Sequence, residues 1–168
     1  MVATRAQRRA WNALGVAIVI GLMGYALYTE YGPQHLDPCP LCIFQRIAMI
    51  ALGTVFLVAA LHAPRGAGAR VYGVLGALVA ATGASISGWH VHVQHLPPEK
   101  VPSCGPGLAY LWDTFPLSDV LNMVFNGSGE CHEVNWQFLG LAMPTWVLIW
   151  FVALGALSVA ANWARITR

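Results

Sequence analysis

The stretch "IAMIALGTVFLVAALHAP", residues 47–64, contains no Asp, Glu, Lys or Arg. Three more runs without these residues lie outside it, at residues 10–29, 71–98 and 134–164. Each can hold the roughly 20 residues with which an α-helix crosses a bilayer, and a helix satisfies its own backbone hydrogen bonds in lipid. Of the 168 residues 57% are hydrophobic and 10% are charged, whereas a soluble domain is about one quarter charged. We therefore predict an all-α membrane protein built as a four-transmembrane-helix bundle.

The arginines predict how this bundle is oriented. Seven of the eight lie before the first run, between the second and third runs, and after the fourth, at Arg5, Arg8, Arg9, Arg65, Arg70, Arg165 and Arg168. In a chain that crosses four times these segments share one side, which the positive-inside rule assigns to the cytoplasm. All seven acidic residues fall in the other two connections. We expect a multi-pass membrane protein with cytoplasmic N- and C-termini, which in a bacterium would be a protein of the inner membrane. No small-x-small cleavage site follows the first run, so we expect it to be a retained anchor.

We predict one domain over residues 1–168, with spans at about 11–29, 43–62, 71–90 and 144–163 and outer, periplasmic loops at about 30–42 and 91–143. The long loop carries an apolar i, i+3, i+4, i+7, i+8 pattern behind Pro116, formed by Leu117, Val120, Leu121, Val124 and Phe125. This pattern predicts a short amphipathic helix in the membrane interface. The alternative is a helix packed against the outer end of the bundle.

The third run is rich in small residues, among them Gly73, Gly76, Ala80 and Gly83. Small residues let helices approach closely in lipid, so we predict a packing face here. We find no phosphate-binding glycine loop and no basic patch for nucleic acid, and we expect the lipid bilayer, not nucleic acid, to surround the chain.

A cysteine pair stands directly before the second run, in "DPCPLCIFQR" at residues 37–46. Pro40 suits the first turn of a helix, which would place Cys42 where the helix macrodipole stabilises a thiolate. Arg46 follows one turn later on the same face. An ionisable residue just inside a span is by default a functional hypothesis.

A thiolate and an arginine together suit a two-electron acceptor that becomes anionic on reduction. The chain has no dinucleotide-binding fingerprint, so we expect a lipid-soluble acceptor such as a quinone. The alternatives are an interfacial anchor for Arg46, and an inert staple or half of a metal site for Cys39 and Cys42.

Two more cysteines, Cys104 and Cys131, lie in the long loop. Four cysteines allow three pairings. A bridge between these two could brace the loop by about 3–4 kcal/mol, or the pair could pass electrons to the first by thiol–disulfide exchange. The histidines at positions 90, 92 and 95 lack i, i+4 ligand spacing, so we expect no metal and at most one histidine beside a cofactor.

Four ordered segments resemble the disulfide bond formation protein B (DsbB) family: "CPLCIFQR", "HVHVQHLP", "SCGPGL" and "GECHEVNWQFLGLAMPTW". The resemblance covers nearly the whole chain. It implies an inner-membrane bundle that reoxidises a soluble periplasmic thioredoxin-like oxidase of the DsbA type and passes the electrons to ubiquinone or menaquinone.

The resemblance also implies catalytic roles for the cysteines. Cys104 and Cys131 form the pair that meets the protein partner, Cys39 exchanges with that pair, and Cys42 contacts the quinone.

For the quinone itself the resemblance implies three binding residues. Arg46 matches the family's quinone-site arginine, and His90 matches its histidine near the ring. Met143, with Trp136 nearby, falls in the stretch that lines the site.

Two other functions compete. Vitamin K epoxide reductases share a four-helix core and a C-x-x-C pair, although their pair lies late in the chain. A non-enzymatic scaffold with two static disulfides is the third possibility, and Arg46 at the membrane edge disfavours it.

Overall fold

A computed structural model describes residues 5–33, 35–36, 38–64, 66–97, 116, 119, 129–132, 134 and 136–163. Its long helices are α1 (Arg5–Tyr31), α2 (Pro40–His62), α3 (Ala67–Gln94) and α5 (Met143–Trp163), with a single helical turn, α4 (Gly129–His132), before α5. The four long helices are each apolar and long enough to cross a membrane. The predicted all-α four-helix membrane fold is confirmed. Cys104 and most of the predicted amphipathic segment lie outside the described residues.

The helices extend beyond the predicted spans. α1 begins at Arg5 instead of about residue 11, and α3 continues to Gln94 instead of ending near residue 90. These helices contain 27 and 28 residues, whereas the hydrocarbon layer needs only about 20. The extra turns carry polar side chains at the two membrane surfaces, where a hydropathy pattern does not mark the helix end.

A two-residue β-hairpin leads into α5. Strand β1 (Gln137–Phe138) pairs antiparallel with β2 (Leu141–Ala142). The connecting residues Leu139 and Gly140 have φ angles of 51° and 77°, as a tight hairpin turn with two positive φ values requires. The Trp146 indole of α5 donates to the carbonyl of Phe138 at 3.1 Å, which holds the hairpin against the helix.

The small residues of α3 form a packing face, as predicted, and the structure shows that this face meets α5. Gly73, Gly76, Ala80 and Gly83 are all buried. A Cβ atom on Gly83 would overlap the Phe151 ring. Lipid is as apolar as these side chains, so close van der Waals packing holds the helices together.

A polar cluster ties the helices together at the end of the bundle away from Cys39. Arg8 is 2% exposed, and it donates to the carbonyls of Pro64 at 2.8 Å and Ala161 at 3.3 Å. The amides of Asn12 and Asn162 donate to each other at 3.3 and 3.1 Å. These bonds join α1, α5 and the segment after α2, and leave the opposite end for the site.

Candidate functional site

The first turn of α2 positions two thiols. Cys39 is the N-cap residue and Pro40 occupies the first turn. The Cys39 sulfur accepts from the Cys42 backbone N–H at 3.4 Å, and the two sulfurs lie 3.0 Å apart as free thiols. The helix start thus brings the pair into contact and places Cys42 in the first turn, where the helix macrodipole favours a thiolate.

A third thiol reaches this pair from the long connection. Cys131 in α4 is 1% exposed and shares a buried cluster with Cys39, Leu41 and Val93. Hydrogen bonds with the Cys131 and Cys42 side chains, together with burial, raise the pKa of Cys39 above its usual value. Cys39 therefore lies between Cys131 and Cys42 and holds its proton more tightly than an ordinary cysteine.

His90 belongs to the same thiol cluster. The ring is 2% exposed, and its Nε2 atom lies 3.8 Å from the Cys39 sulfur and 3.2 Å from the Cys131 carbonyl oxygen. On the other side of the ring, Nδ1 lies 3.2 Å from the Gln45 amide nitrogen. An amide can donate to Nδ1 or, turned over, accept from it, so Gln45 supports either tautomer of the ring.

A cavity of about 540 Å³ opens beside this cluster, between α1, α2, α5 and the hairpin. Four of the sequence-predicted residues line it, namely Cys42, Arg46, Trp136 and Met143. The other walls are largely apolar and include the rings of Tyr25, Phe138, Trp146 and Trp150. The residues that line the cavity do not include His90, whose ring nitrogen lies within 4.8 Å of the sulfurs of both Cys39 and Cys42. A contact between His90 and a quinone ring stays a prediction.

Arg46 carries a fixed positive charge to this cavity. Its guanidinium forms an ion pair with Glu30 of α1 and donates to the carbonyl of Ala26 at 3.4 Å. The Arg46 and Glu30 side chains are 23% and 16% exposed. The pair joins α1 to α2 at the end of the bundle that holds Cys39.

Comparison with known proteins assigns the family. The model of the family described as disulfide bond formation protein DsbB matches residues 8–161. The chain belongs to the DsbB family. It is 52% identical over 150 residues to disulfide bond formation protein B of Methylococcus capsulatus, covering 89% of this chain and 91% of that protein. It is also 50% identical over 143 residues to the protein of that name from Nitrosococcus oceani, covering 85% and 82% of the two chains.

Membership of the DsbB family identifies the chain as a multi-pass membrane oxidoreductase that takes part in disulfide bond formation. Among the three functions that the sequence left open, this supports the generation of disulfides. The reduced thiols also offer a metal-binding geometry, since ligand atoms of Cys39, Cys42 and His90 lie within 4.8 Å of one another. The same two sulfurs lose that capacity when they join in a disulfide.

Sequence reasoning missed two residues of this DsbB-family site, Gln45 and Glu30. Gln45 is 4% exposed and bonds His90, but a glutamine beside Arg46 gives no signal in the sequence. Glu30 did give one. It is the second-last residue of α1, where the negative end of the helix macrodipole disfavours a carboxylate. An acid in that position indicates a nearby cation.

Proposed function

We propose that this chain reoxidises a periplasmic thioredoxin-like oxidase of the DsbA type and passes the electrons to a membrane quinone, either ubiquinone or menaquinone. One observation carries the proposal. Cys42 touches Cys39 within the buried thiol cluster and also lines the apolar cavity. It is therefore positioned to receive electrons from thiols on one side and release them on the other.

The cavity residues fit a quinone. A volume of about 540 Å³ falls within the range of small-molecule sites, ~300–1,000 Å³. Aromatic walls suit a flat ring, and a bound quinone supplies the chemistry of a two-electron acceptor. Of the five N–H donors of an arginine, Glu30 and Ala26 engage two of those on Arg46, so three remain for a carbonyl oxygen.

The proposed thiol–disulfide exchange passes from the partner to the loop cysteines, then to Cys39 and finally to Cys42. A partner thiolate attacks Cys104 of the Cys104–Cys131 disulfide, which releases Cys131. Cys131 lies against Cys39 and attacks it, so the Cys39–Cys131 bond forms and Cys42 leaves as a thiolate. The partner's second thiol then displaces Cys104 and closes the partner's disulfide. Cys104 in turn attacks Cys131, restores the loop disulfide and releases Cys39.

Cys39 and Cys42 are then both reduced, with Cys42 as a thiolate, and rejoining them as a disulfide passes two electrons to the cavity side. His90 assists at Cys39, because its Nε2 can give a proton to the departing Cys39 sulfur and take one back as the ring closes. Gln45 supports the ring in either protonation state. Each full cycle makes one partner disulfide and reduces one quinone.

An assay with the purified protein in lipid nanodiscs tests this function. A reduced thioredoxin-like oxidase and a short-chain quinone are added, and partner disulfide and quinone absorbance are followed together. We expect one disulfide per quinone reduced, and no turnover in Cys42→Ser. Epoxide reduction by a dithiol without partner oxidation would favour the vitamin K epoxide reductase class. Equal resistance of both disulfides to mild reductant, without turnover, would favour a scaffold.

The orientation belongs to the same proposal, with the thiols on the periplasmic face of the inner membrane and both termini in the cytoplasm. Ala67 and His95 lie at opposite ends of α3, and both are exposed. In a background with the native cysteines replaced by serine, a membrane-impermeant maleimide should label His95→Cys in cells with a permeabilised outer envelope. Ala67→Cys should react only after the inner membrane is broken, and the reverse pattern would overturn the orientation.

A further inference from the structure

The ion pair at the outer end of the cavity contains an ionisable group that the thiol steps do not use. Glu30 holds Arg46, and Arg46 lines the cavity. The Glu30 side chain is 16% exposed and belongs to the second-last residue of α1, while its partner Arg46 lines the cavity. Glu30 is therefore one ion pair away from the cavity and close to the end of its helix.

The position of Glu30 is unfavourable for a residue with only a structural task. A carboxylate near a helix C-terminus opposes the macrodipole, and ionisable groups at the membrane edge often mark proton pathways. Arg46 has a backbone partner of its own in Ala26. Pairing with Arg46 offsets this cost, and Arg46 keeps an acceptor in Ala26 whenever that pairing is released.

The proposed reaction, on which this inference rests, moves protons as well as electrons. Two thiols become a disulfide and release two electrons and two protons, and a quinone needs two of each to become a quinol. Because the cavity walls are largely apolar, protons need a defined route to the oxygen held at Arg46.

Among the described residues around Glu30, few other groups could carry a proton. α2 contributes Arg46 and Cys42, and α1 contributes Tyr25. His35, in the segment after α1, is exposed. An arginine keeps its proton in proteins, a phenol is a far weaker acid than a carboxylic acid, and Cys42 supplies the electrons. The cavity-lining side chains of α5, which include Met143 and Trp146, do not titrate.

We propose that Glu30 carries protons from the outer face into the cavity, taking up a proton on Oε2 when Arg46 turns toward the reduced acceptor and releasing it to the acceptor's oxygen. Negative charge at that oxygen competes with Glu30 for the guanidinium. Once it is deprived of its counter-ion, the carboxylate binds a proton from the outer solvent, forming an Oε2–H bond. That bond breaks on transfer, and the carboxylate pairs with Arg46 again. Two such cycles accompany each quinone and match its two protons.

The substitution Glu30→Gln tests this role, because the amide can still accept a hydrogen bond from Arg46 and cannot carry a proton. We expect kcat to fall about 100-fold, in the range of general acid–base effects, with the KM for quinone changed less than about twofold. The loss should deepen as pH rises, because protons become scarcer. Glu30→Asp should recover part of kcat, and added acetate should rescue Glu30→Gln. His35→Asn, at an exposed position with a φ of 44°, is the matched control and should behave as wild type.

A second readout does not depend on turnover. In a time-resolved infrared difference spectrum of a single turnover, started by mixing the reduced protein with quinone, the wild type should show a transient C=O band of a protonated carboxyl group that decays as quinol forms, and Glu30→Gln should lack it. The thermal midpoint and the rate of thiol exchange with the partner should match wild type, which shows that the variant is folded.

The possible failures are distinguishable. A wild-type protein that reduces no quinone overturns the proposed function itself. An active wild type with a Glu30→Gln variant of equal kcat and pH profile overturns only the role of Glu30. A raised KM with unchanged kcat would show that Glu30 merely holds Arg46, and it also overturns the proton-carrier role.

Discussion

The substitution His90→Gln separates thiol chemistry from quinone binding. Glutamine can place an amide N–H near the position of Nε2, so it can still donate to the Cys131 carbonyl, but it cannot exchange a proton with Cys39. General acid–base catalysis contributes about 10²–10⁴-fold. Nε2 lies 3.8 Å from the Cys39 sulfur, farther than the ~2.6–3.2 Å of a working proton transfer, so the lower end of that range applies. We expect kcat to fall about 100-fold, with the KM for quinone changed less than about twofold.

The assay is steady-state quinone reduction at varied quinone, combined with quenched-flow trapping of the thiols by alkylation. In the variant, the Cys39–Cys131 disulfide should accumulate, because the departing Cys39 sulfur lacks its proton donor. His92→Gln is the matched control, since His92 is on the same helix and exposed. A His90→Gln protein with normal kcat and a quinone KM raised tenfold or more would place the ring in the quinone site and refute this assignment.

Three further predictions follow from particular contacts. Arg46→Ala should raise the KM for quinone about 10–100-fold, because a hydrogen bond to a charged group contributes ~1.5–3 kcal/mol. Arg46→Lys should recover only part of the loss. An unchanged KM in both variants would remove Arg46 from the site. Gly83→Val should lower stability by about 1–3 kcal/mol through overlap with Phe151, measured as a lower thermal midpoint. Gly88→Ala should leave the midpoint unchanged, because an added Cβ at that position meets nothing within 4 Å. Equal midpoints for the two variants would contradict the packing of α3 on α5. Cys131→Ser should leave Cys104 free to form a disulfide with Cys39, which leaves Cys42 as a thiolate beside added quinone. This should give a visible charge-transfer absorption that Cys42→Ser abolishes. A colourless Cys131→Ser protein with normal turnover would leave the loop disulfide as a brace.

Those features of the fold that depend on local composition could be predicted from the sequence. Charge-free runs specify the four helices, because lipid excludes unpaired charge and unsatisfied backbone. The small residues of α3 predicted a packing face, because their spacing repeats with the helical turn. Pro40 predicted where α2 begins, and the helix does start there.

The contacts between helices could not be predicted in the same way. The period of a helix tells which residues share a face. It does not tell which neighbouring helix that face contacts, or at which position along the helix axis. Asn12 and Asn162 are 150 positions apart and form a reciprocal amide pair. The pairing of Arg46 with Glu30 depends likewise on how far α1 extends beyond the membrane.

The position of His90 shows the same limit at the site. The spacing of His90 from Gln94 and Pro97 relates it to a motif, but the rotation of α3 decides whether its ring faces the cavity or the thiols. In the structure, the bond with Gln45 and the contact with the Cys131 carbonyl hold it beside the sulfurs of Cys39 and Cys42. Only the packing of α2, α3 and α4 together could show this.

The arrangement of the three described thiols also imposes an order on electron transfer. Cys39 and Cys131 are 7% and 1% exposed and, unlike Cys42, are not part of the cavity wall. In the proposed function, a partner thiol has no direct path to the cavity through these buried sulfurs, so its electrons enter by a disulfide exchange that ends at Cys42. Because Cys42 sits in the first turn of α2, the charge it acquires in that exchange is stabilised by the helix. In that proposal the cavity meets a reducing sulfur only after Cys131 has attacked Cys39 and displaced Cys42, which would couple oxidation of the partner to reduction of the acceptor.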